Sequence, residues 1–199
     1  MRQREMALFR VAESQQGLFT AKQAEAAGYA SKGHAAQVKN GRWQRVDRGV
    51  YRLTLYPQTD RPDLVHWSLW SRGRDDDPQG VFSHRTALSL YHLSDDNPSK
   101  LDMTIPSTFR KQVATPPILR LHRATLDPTE VQVWDGFKVT TLVRTFADLL
   151  IDGSLEEELL QQAIEEALSQ GLLLSRGQLL EHPLVKDDRR VRQIVEQVA

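Results

Sequence analysis

The first fifty-three residues constrain the fold most, because three helical periods and one hairpin follow one another there in a set order. Met6, Leu8, Phe9, Val11 and Ala12 recur at helical spacing and predict a helix over 3–16, ended by Gly17. Thr20 with Gln23 has the capping-box pattern, so a second helix begins there. Phe19 stands before the cap and can pack back on Ala24, and Gly28 closes the helix. Ser31 can cap a third helix running to about Asn40, with Gly41 at its end. Two short helices separated by a tight turn make a helix-turn-helix. Trp43–Val46 and Val50–Leu53 then alternate about Asp47, Arg48 and Gly49, which predicts a hairpin. The order is that of a winged helix-turn-helix, with the hairpin as the wing.

Charge points the same way once the chain is divided. The total is neutral, with 26 basic and 26 acidic residues. Residues 1–60 hold ten Lys/Arg against five Asp/Glu, a net of +5. Residues 61–150 balance at eleven of each, and 151–199 hold five against ten, a net of −5. A basic head suits phosphate, and an acidic tail is either a solvated helical face or a surface for a basic partner.

Beyond the wing the pattern predicts an α+β chain: a winged helix-turn-helix over 1–55, a linker over 56–63, and a C-terminal mixed α/β domain over 64–199 that ends in helices. Two prolines interrupt 54–63. Residues 64–72 fit a helix or a strand, and Asp75–Asp77 with Pro78 mark a loop. Ser83 can cap a helix over His84–Tyr91. Residues 101–107 and 118–124 read as strands, and Val131–Val139 as a hairpin about Asp135-Gly136. Thr140 or Thr141 caps a helix with Val143, Phe146, Ala147 and Leu150 on one face. Ser154 with Glu157 and Ser175 with Gln178 read as caps of two more, and Val191, Ile194, Val195 and Val198 mark a last one.

A recognition helix needs a polar outer face that reaches base edges. Ser31, Lys32, His34, Gln37, Lys39 and Asn40 supply it, with Ala35, Ala36 and Val38 on the buried side. Gln37 can pair with adenine, and Lys32 and Lys39 can meet phosphate or guanine. His34 can do either, or can be an ordinary, partly exposed histidine. The wing offers Arg42, Arg45 and Arg48, with Arg52 a further candidate, over a core of Trp43, Val50 and Tyr51. Thr20 and Lys22 are placed to touch backbone phosphate. Winged helices also serve as protein-interaction modules, and sequence order alone leaves that alternative open.

No enzyme is expected. There is no glycine-rich phosphate loop, HExxH, nucleophile elbow or zinc-ligand spacing, and no cysteine. Neither a metal nor another cofactor is expected; the Asp75–Asp77 run reads as a loop. No apolar run is long enough for a membrane span, and the charged first residues lack a signal peptide's apolar stretch, so a cytoplasmic protein is expected.

Two segments resemble a known family: GLFTAKQAEAAGYASKGHAAQVKNGRWQRVDRGVYRL at 17–53 and DGFKVTTLVRTFADLL at 135–150. Together they resemble the AbiEi-type antitoxins of type IV bacterial toxin–antitoxin systems. The wing segment ending in Arg48-Gly49-Val50-Tyr51 carries the first likeness. Val139-Thr140-Thr141, with Arg144-Thr145 to Asp148-Leu149, carries the second. The resemblance implies a winged helix on double-stranded DNA, at inverted repeats in the operon's own promoter, followed by an antitoxin domain. It implies a nucleotidyltransferase-like toxin, opposed in many cases without a stable complex. The DNA role then falls to Lys32, His34, Gln37, Lys39, Arg42, Arg45 and Arg48. The antitoxin role falls to the C-terminal domain, with Arg144 and Asp148 as candidates. Being four apart, these two can also be a plain ion pair on one helix face. An orphan regulator that keeps the scaffold without a toxin is the alternative.

Overall fold

The computed structural model describes residues 3–94 and 98–198 of an α+β chain that divides into two units. One unit runs through Gly80 and takes in Val133–Phe137; the other holds Val81–Gln132 and the residues from Lys138 on. The stretch 64–72, read from sequence as the start of the second domain, groups with the first unit.

In the first unit, α1 (Gln3–Glu13) ends where Gln16 and Gly17 turn left-handed, at φ 52 and 87°. The Gly17 N–H donates to the Ala12 carbonyl at 2.7 Å. A Cβ at Gly17 would lie 2.6 Å from the Tyr56 ring, so only glycine fits there. Strand β1 (Leu18–Thr20) follows and was not legible as a strand: all three residues are buried, so no alternation marks it. Thr20 caps α2 (Ala21–Ala26) as expected. Its hydroxyl accepts the Gln23 N–H at 3.1 Å, and Gln23 Oε1 accepts the Thr20 N–H at 2.8 Å.

Ser31 caps nothing. It opens a single 3₁₀ turn, Ser31–Gly33, and α3 (His34–Lys39) starts from Gly33 without a side-chain cap. The wing is β2 (Trp43–Asp47) and β3 (Val50–Leu53), closed by Arg48 and Gly49, the latter at φ 72°. With β1 it forms an antiparallel sheet in the order β1-β3-β2. Leu8, Ala12, Phe19, Ala24, Tyr29 and Trp43 form the core, with Phe19 edge-on to Trp43 at 4.9 Å. The ambiguous stretch after the wing is helical: α4 (Pro62–Trp70), started by a proline whose missing N–H costs nothing in the first turn. Its Leu64, Val65 and Leu69 are fully buried, and it packs on β1.

The second unit is built on a mixed sheet. It contains β4 (Val81–Phe82), α5 (His84–Leu90), β5 (Leu101–Ile105), β6 (Leu119–Arg123), the start of β7 (Val131–Trp134) and all of β8 (Phe137–Thr140) after Phe137. The strand order is β6-β5-β4-β8-β7, with β4–β5 antiparallel and both β5–β6 and β4–β8 parallel. Four helices follow: α6 (Leu142–Asp152), α7 (Glu157–Ser169), α8 (Arg176–Leu180) and α9 (Arg189–Glu196). Phe146, Leu149, Leu160, Ile164, Leu179, Val191 and Val195 share one core beneath them. Ser154 does not cap α7. Gly153 stops α6 at φ 63°, an irregular segment with a bend at Leu155 follows, and Glu156 holds the cap position without a side-chain bond. Asp188 caps α9, accepting N–H groups from Arg190 and Val191 at 2.9 and 3.1 Å.

Candidate nucleic-acid interface

The 3₁₀ turn decides which side of the third helix faces outward. His34 and Val38 lie one turn apart on the buried side, while Lys32, Ala35, Ala36 and Lys39 are exposed along the other. Ala35 and Ala36 therefore lie outside the core, contrary to the sequence reading. His34 lies inside it. It is 4% exposed, its Nε2 pairs with the Tyr29 carbonyl at 3.1 Å, and its ring packs against Trp43 and Tyr51 at 5.3 and 5.8 Å. It braces the helix against the wing and does not face a duplex. Gln37 is half-buried, and its Oε1 has no hydrogen-bond partner. The exposed face thus carries two cations at its ends and two methyl groups between them, a surface that lets a helix lie close against a groove floor. Ser31 is exposed at the start of this face.

The wing extends the basic surface. Arg48 stands at the turn and Arg45 on β2, both exposed. Asp47 sets the turn: it accepts the Arg48 N–H at 2.6 Å and pairs with His66 of α4 at 3.2 Å. Burial pushes the Asp47 carboxyl up, but these two bonds, with the charges of His66 and Arg45, hold the group below its ordinary value. The Arg48 guanidinium, Lys32 and Lys39 have no ion-pair partner among the described residues. Arg42 is exposed with Glu5 4.0 Å away, a pair of little strength. Arg52 is directed elsewhere, donating to the carbonyls of Tyr56 and Pro57 at 3.1 and 2.7 Å.

Two sequence candidates are already engaged. Thr20 is fully buried, and its hydroxyl donates to Asp76 Oδ2 at 2.6 Å. Lys22 remains exposed, with Nζ donating to the Arg74 carbonyl at 2.6 Å. Asp76 also pairs with Arg72 at 3.0 Å. Thr20 is therefore a brace within the first unit and is not placed to meet phosphate.

The second unit holds its charged groups inside. Arg144 is buried, with Nε on Asp148 Oδ1 at 2.8 Å and Nη1 on Glu130 Oε2 at 2.7 Å. Glu130 also meets His182 at 2.9 Å. Burial pushes the Glu130 carboxyl up, yet hydrogen bonds from the Asp127 N–H, His182 and Arg144 leave it below its ordinary value. The ion pair anticipated on one helix face is thus part of a wider network that ties α6 to the turn before β7 and to the segment after α8. Glu130 and His182 were not foreseen.

A second polar cluster was also missed. The β5–β6 pairing sets His122 beside Asp102, whose Oδ1 it meets at 2.8 Å, and the His122 ring stacks on His84 at 3.7 Å. Burial, and then the charge of His122, depress the His84 pKa; Asp148, Asp102 and Asp152 oppose this without cancelling it. A histidine depressed in the folded state stabilises the fold above its unfolded value of about 6.5 and loses that contribution as pH falls below it. Urea midpoints should therefore fall between about pH 7 and pH 5. His84→Asn, which tolerates the left-handed backbone at this position (φ 50°), should flatten that limb. An equally steep limb in the variant would remove His84 as its source.

Among the described residues no helix is long and apolar enough to cross a membrane, and no group of three or more His, Asp or Glu is arranged to hold a metal ion. No curated protein matches the sequence at a significant level. The fold is similar to the crystal structure of the RV2827C protein from Mycobacterium tuberculosis. The TM-score is 0.59 at 10% identity, covering 98% of this chain and 77% of that one. Residues 6–54, which hold the three helices, the exposed basic stripe and the wing, match the family described as "Transcriptional regulator, AbiEi antitoxin". The match lies within this N-terminal segment and leaves the rest of the 199-residue chain outside it.

Proposed function

We propose that this protein is a cytoplasmic autorepressor and antitoxin of a type IV toxin–antitoxin pair. The first unit binds inverted repeats in its own promoter, and the second counteracts a nucleotidyltransferase-like toxin. The observation that carries the DNA half is the division of the third helix: Lys32 and Lys39 flank an exposed Ala35-Ala36 step, while His34 and Val38 anchor the opposite side. Arg45 and Arg48 continue that basic surface along the wing. The helix enters the major groove, and the wing cations meet phosphate or the neighbouring minor groove. The match of residues 6–54 to the AbiEi antitoxin family supports the antitoxin half, and Arg144 and Asp148 position α6 within the domain that would carry it.

Duplex binding tests the first half. The promoter repeat should bind on the order of a thousandfold more tightly than a scrambled duplex, with affinity falling linearly in log salt. Equal binding to both duplexes would remove the repressor role. Co-expression with the neighbouring nucleotidyltransferase-like toxin tests the second half, and growth should be rescued. Promoter binding without rescue would identify an orphan regulator.

A further inference from the structure

We propose that the Arg72–Asp77 loop is the electronegative border of the nucleic-acid interface. It withdraws Thr20 and Lys22 from phosphate and holds duplex affinity below the level that α3 and the wing alone would give. This rests on the DNA reading above and adds to it a determinant outside the family-matched segment. The loop leaves the end of α4, and a bridge between Arg72 and Pro78 closes it, with the Gly73 N–H donating to the Asp77 carbonyl at 2.9 Å. Asp76 sits at its tip in the left-handed region, φ 70°, which aspartate tolerates better than most residues. Both of its carboxylate oxygens are anchored: Oδ2 takes the Thr20 hydroxyl at 2.6 Å, and Oδ1 takes Arg72 Nε at 3.0 Å. The Arg74 carbonyl takes Lys22 Nζ at 2.6 Å. On the other side, a Cβ at Gly49 would lie 3.4 Å from Arg72 Nη2, so the loop reaches the wing turn as well as α2.

This position matters for the chemistry of DNA. The first helix of a helix-turn-helix crosses the sugar-phosphate backbone, and its hydroxyl and amine donors are the groups that hold phosphate oxygens. Here a carboxylate oxygen takes the Thr20 hydroxyl and a carbonyl takes a Lys22 hydrogen. The loop's three aspartates outweigh Arg72 and Arg74 by one charge, and the exposed Asp75 adjoins Arg74, whose carbonyl holds Lys22, so its carboxylate adds like charge against an approaching strand. A loop that only braced the fold would leave affinity unchanged, or lower it, when its charge was removed. A border raises it.

The test uses the full chain and a labelled promoter-repeat duplex, with Asp75→Asn and Asp75→Lys. Asp75 is exposed, and its Oδ1 makes only a 3.5 Å contact within the loop, so thermal melting should match the wild type. Binding should tighten about threefold for Asp75→Asn and about tenfold for Asp75→Lys, with a log–log salt slope steeper by about one for the lysine. Wild-type binding that neither substitution tightens overturns the border while leaving the DNA reading standing. A wild-type chain that binds no duplex overturns both.

Discussion

Arg144→Ala should destabilise the protein by about 3 kcal/mol, the largest single-residue loss expected from its charged groups. The guanidinium is 4% exposed and holds two carboxylates, Asp148 at 2.8 Å and Glu130 at 2.7 Å. Asp148 Oδ2 already lacks a hydrogen-bond partner, so removing the arginine leaves a buried charge with neither its cation nor a full set of donors. Glu130 keeps His182 and the Asp127 N–H, and this places the estimate at the low end for a broken buried pair. Lysine should recover only part of the loss, because one ammonium cannot reproduce the two directed bonds of the fork. The double variant Arg144→Met/Asp148→Leu should recover most of it, since it removes both partners together. Urea unfolding of the four chains measures this, and a loss below about 1 kcal/mol for Arg144→Ala would show that the network carries little stability. Glu130 adds a pH signature. Its folded pKa lies below the ordinary value, so its contribution is present above about pH 4.5 and fades as pH falls. Without Arg144 that acid limb should shrink. The double variant also separates two roles of the pair: if it folds but no longer rescues growth, the charges act on the toxin as well as on the fold.

The first unit was legible because its signals are local. The Thr20–Gln23 box, the bond from Gly17 to Ala12 and the Arg48-Gly49 turn each act within five residues. The misplaced face of the third helix had a local cause. Three residues of 3₁₀ helix advance about 120° each, against about 100° for α-helix, so the face of the third helix is rotated from the one a continuous helix would present. That rotation turns His34 inward and the alanines outward. Thr20 misled for another reason: its partner Asp76 is 56 residues away, and no spacing rule joins them. The second unit's polar groups are of this kind throughout. His122 reaches Asp102 only through the β5–β6 register, and Glu130 meets His182 across 52 residues. The Asp127-Pro-Thr-Glu130 box was readable as a turn signal, since it pairs Asp127 with the Thr129 N–H and Glu130 with the Asp127 N–H. Its use as an anchor for Arg144 was not readable.

Arg45→Ala/Arg48→Ala should weaken promoter binding about tenfold to a hundredfold near 0.1 M salt, and should make the log–log salt slope shallower by about two. Both side chains are exposed on the wing, and neither belongs to the core that Leu8, Ala12, Phe19, Ala24, Tyr29 and Trp43 form. Thermal stability should therefore stay at the wild-type level while affinity falls. The loss should be similar on the promoter repeat and on a scrambled duplex, because phosphate contacts position a protein without reading sequence. Lengthening the exposed step with Ala36→Gln should behave differently. A longer side chain between Lys32 and Lys39 would hold the helix away from the groove floor, so the promoter repeat should suffer most and the scrambled duplex least. The two variants thus divide the surface into a part that binds any duplex and a part that chooses one. A wing variant that lost only promoter binding, with an unchanged salt slope, would place the arginines on base edges. The phosphate contacts would then have to come from Lys32, Lys39 and Arg42, the exposed cations that remain on this face.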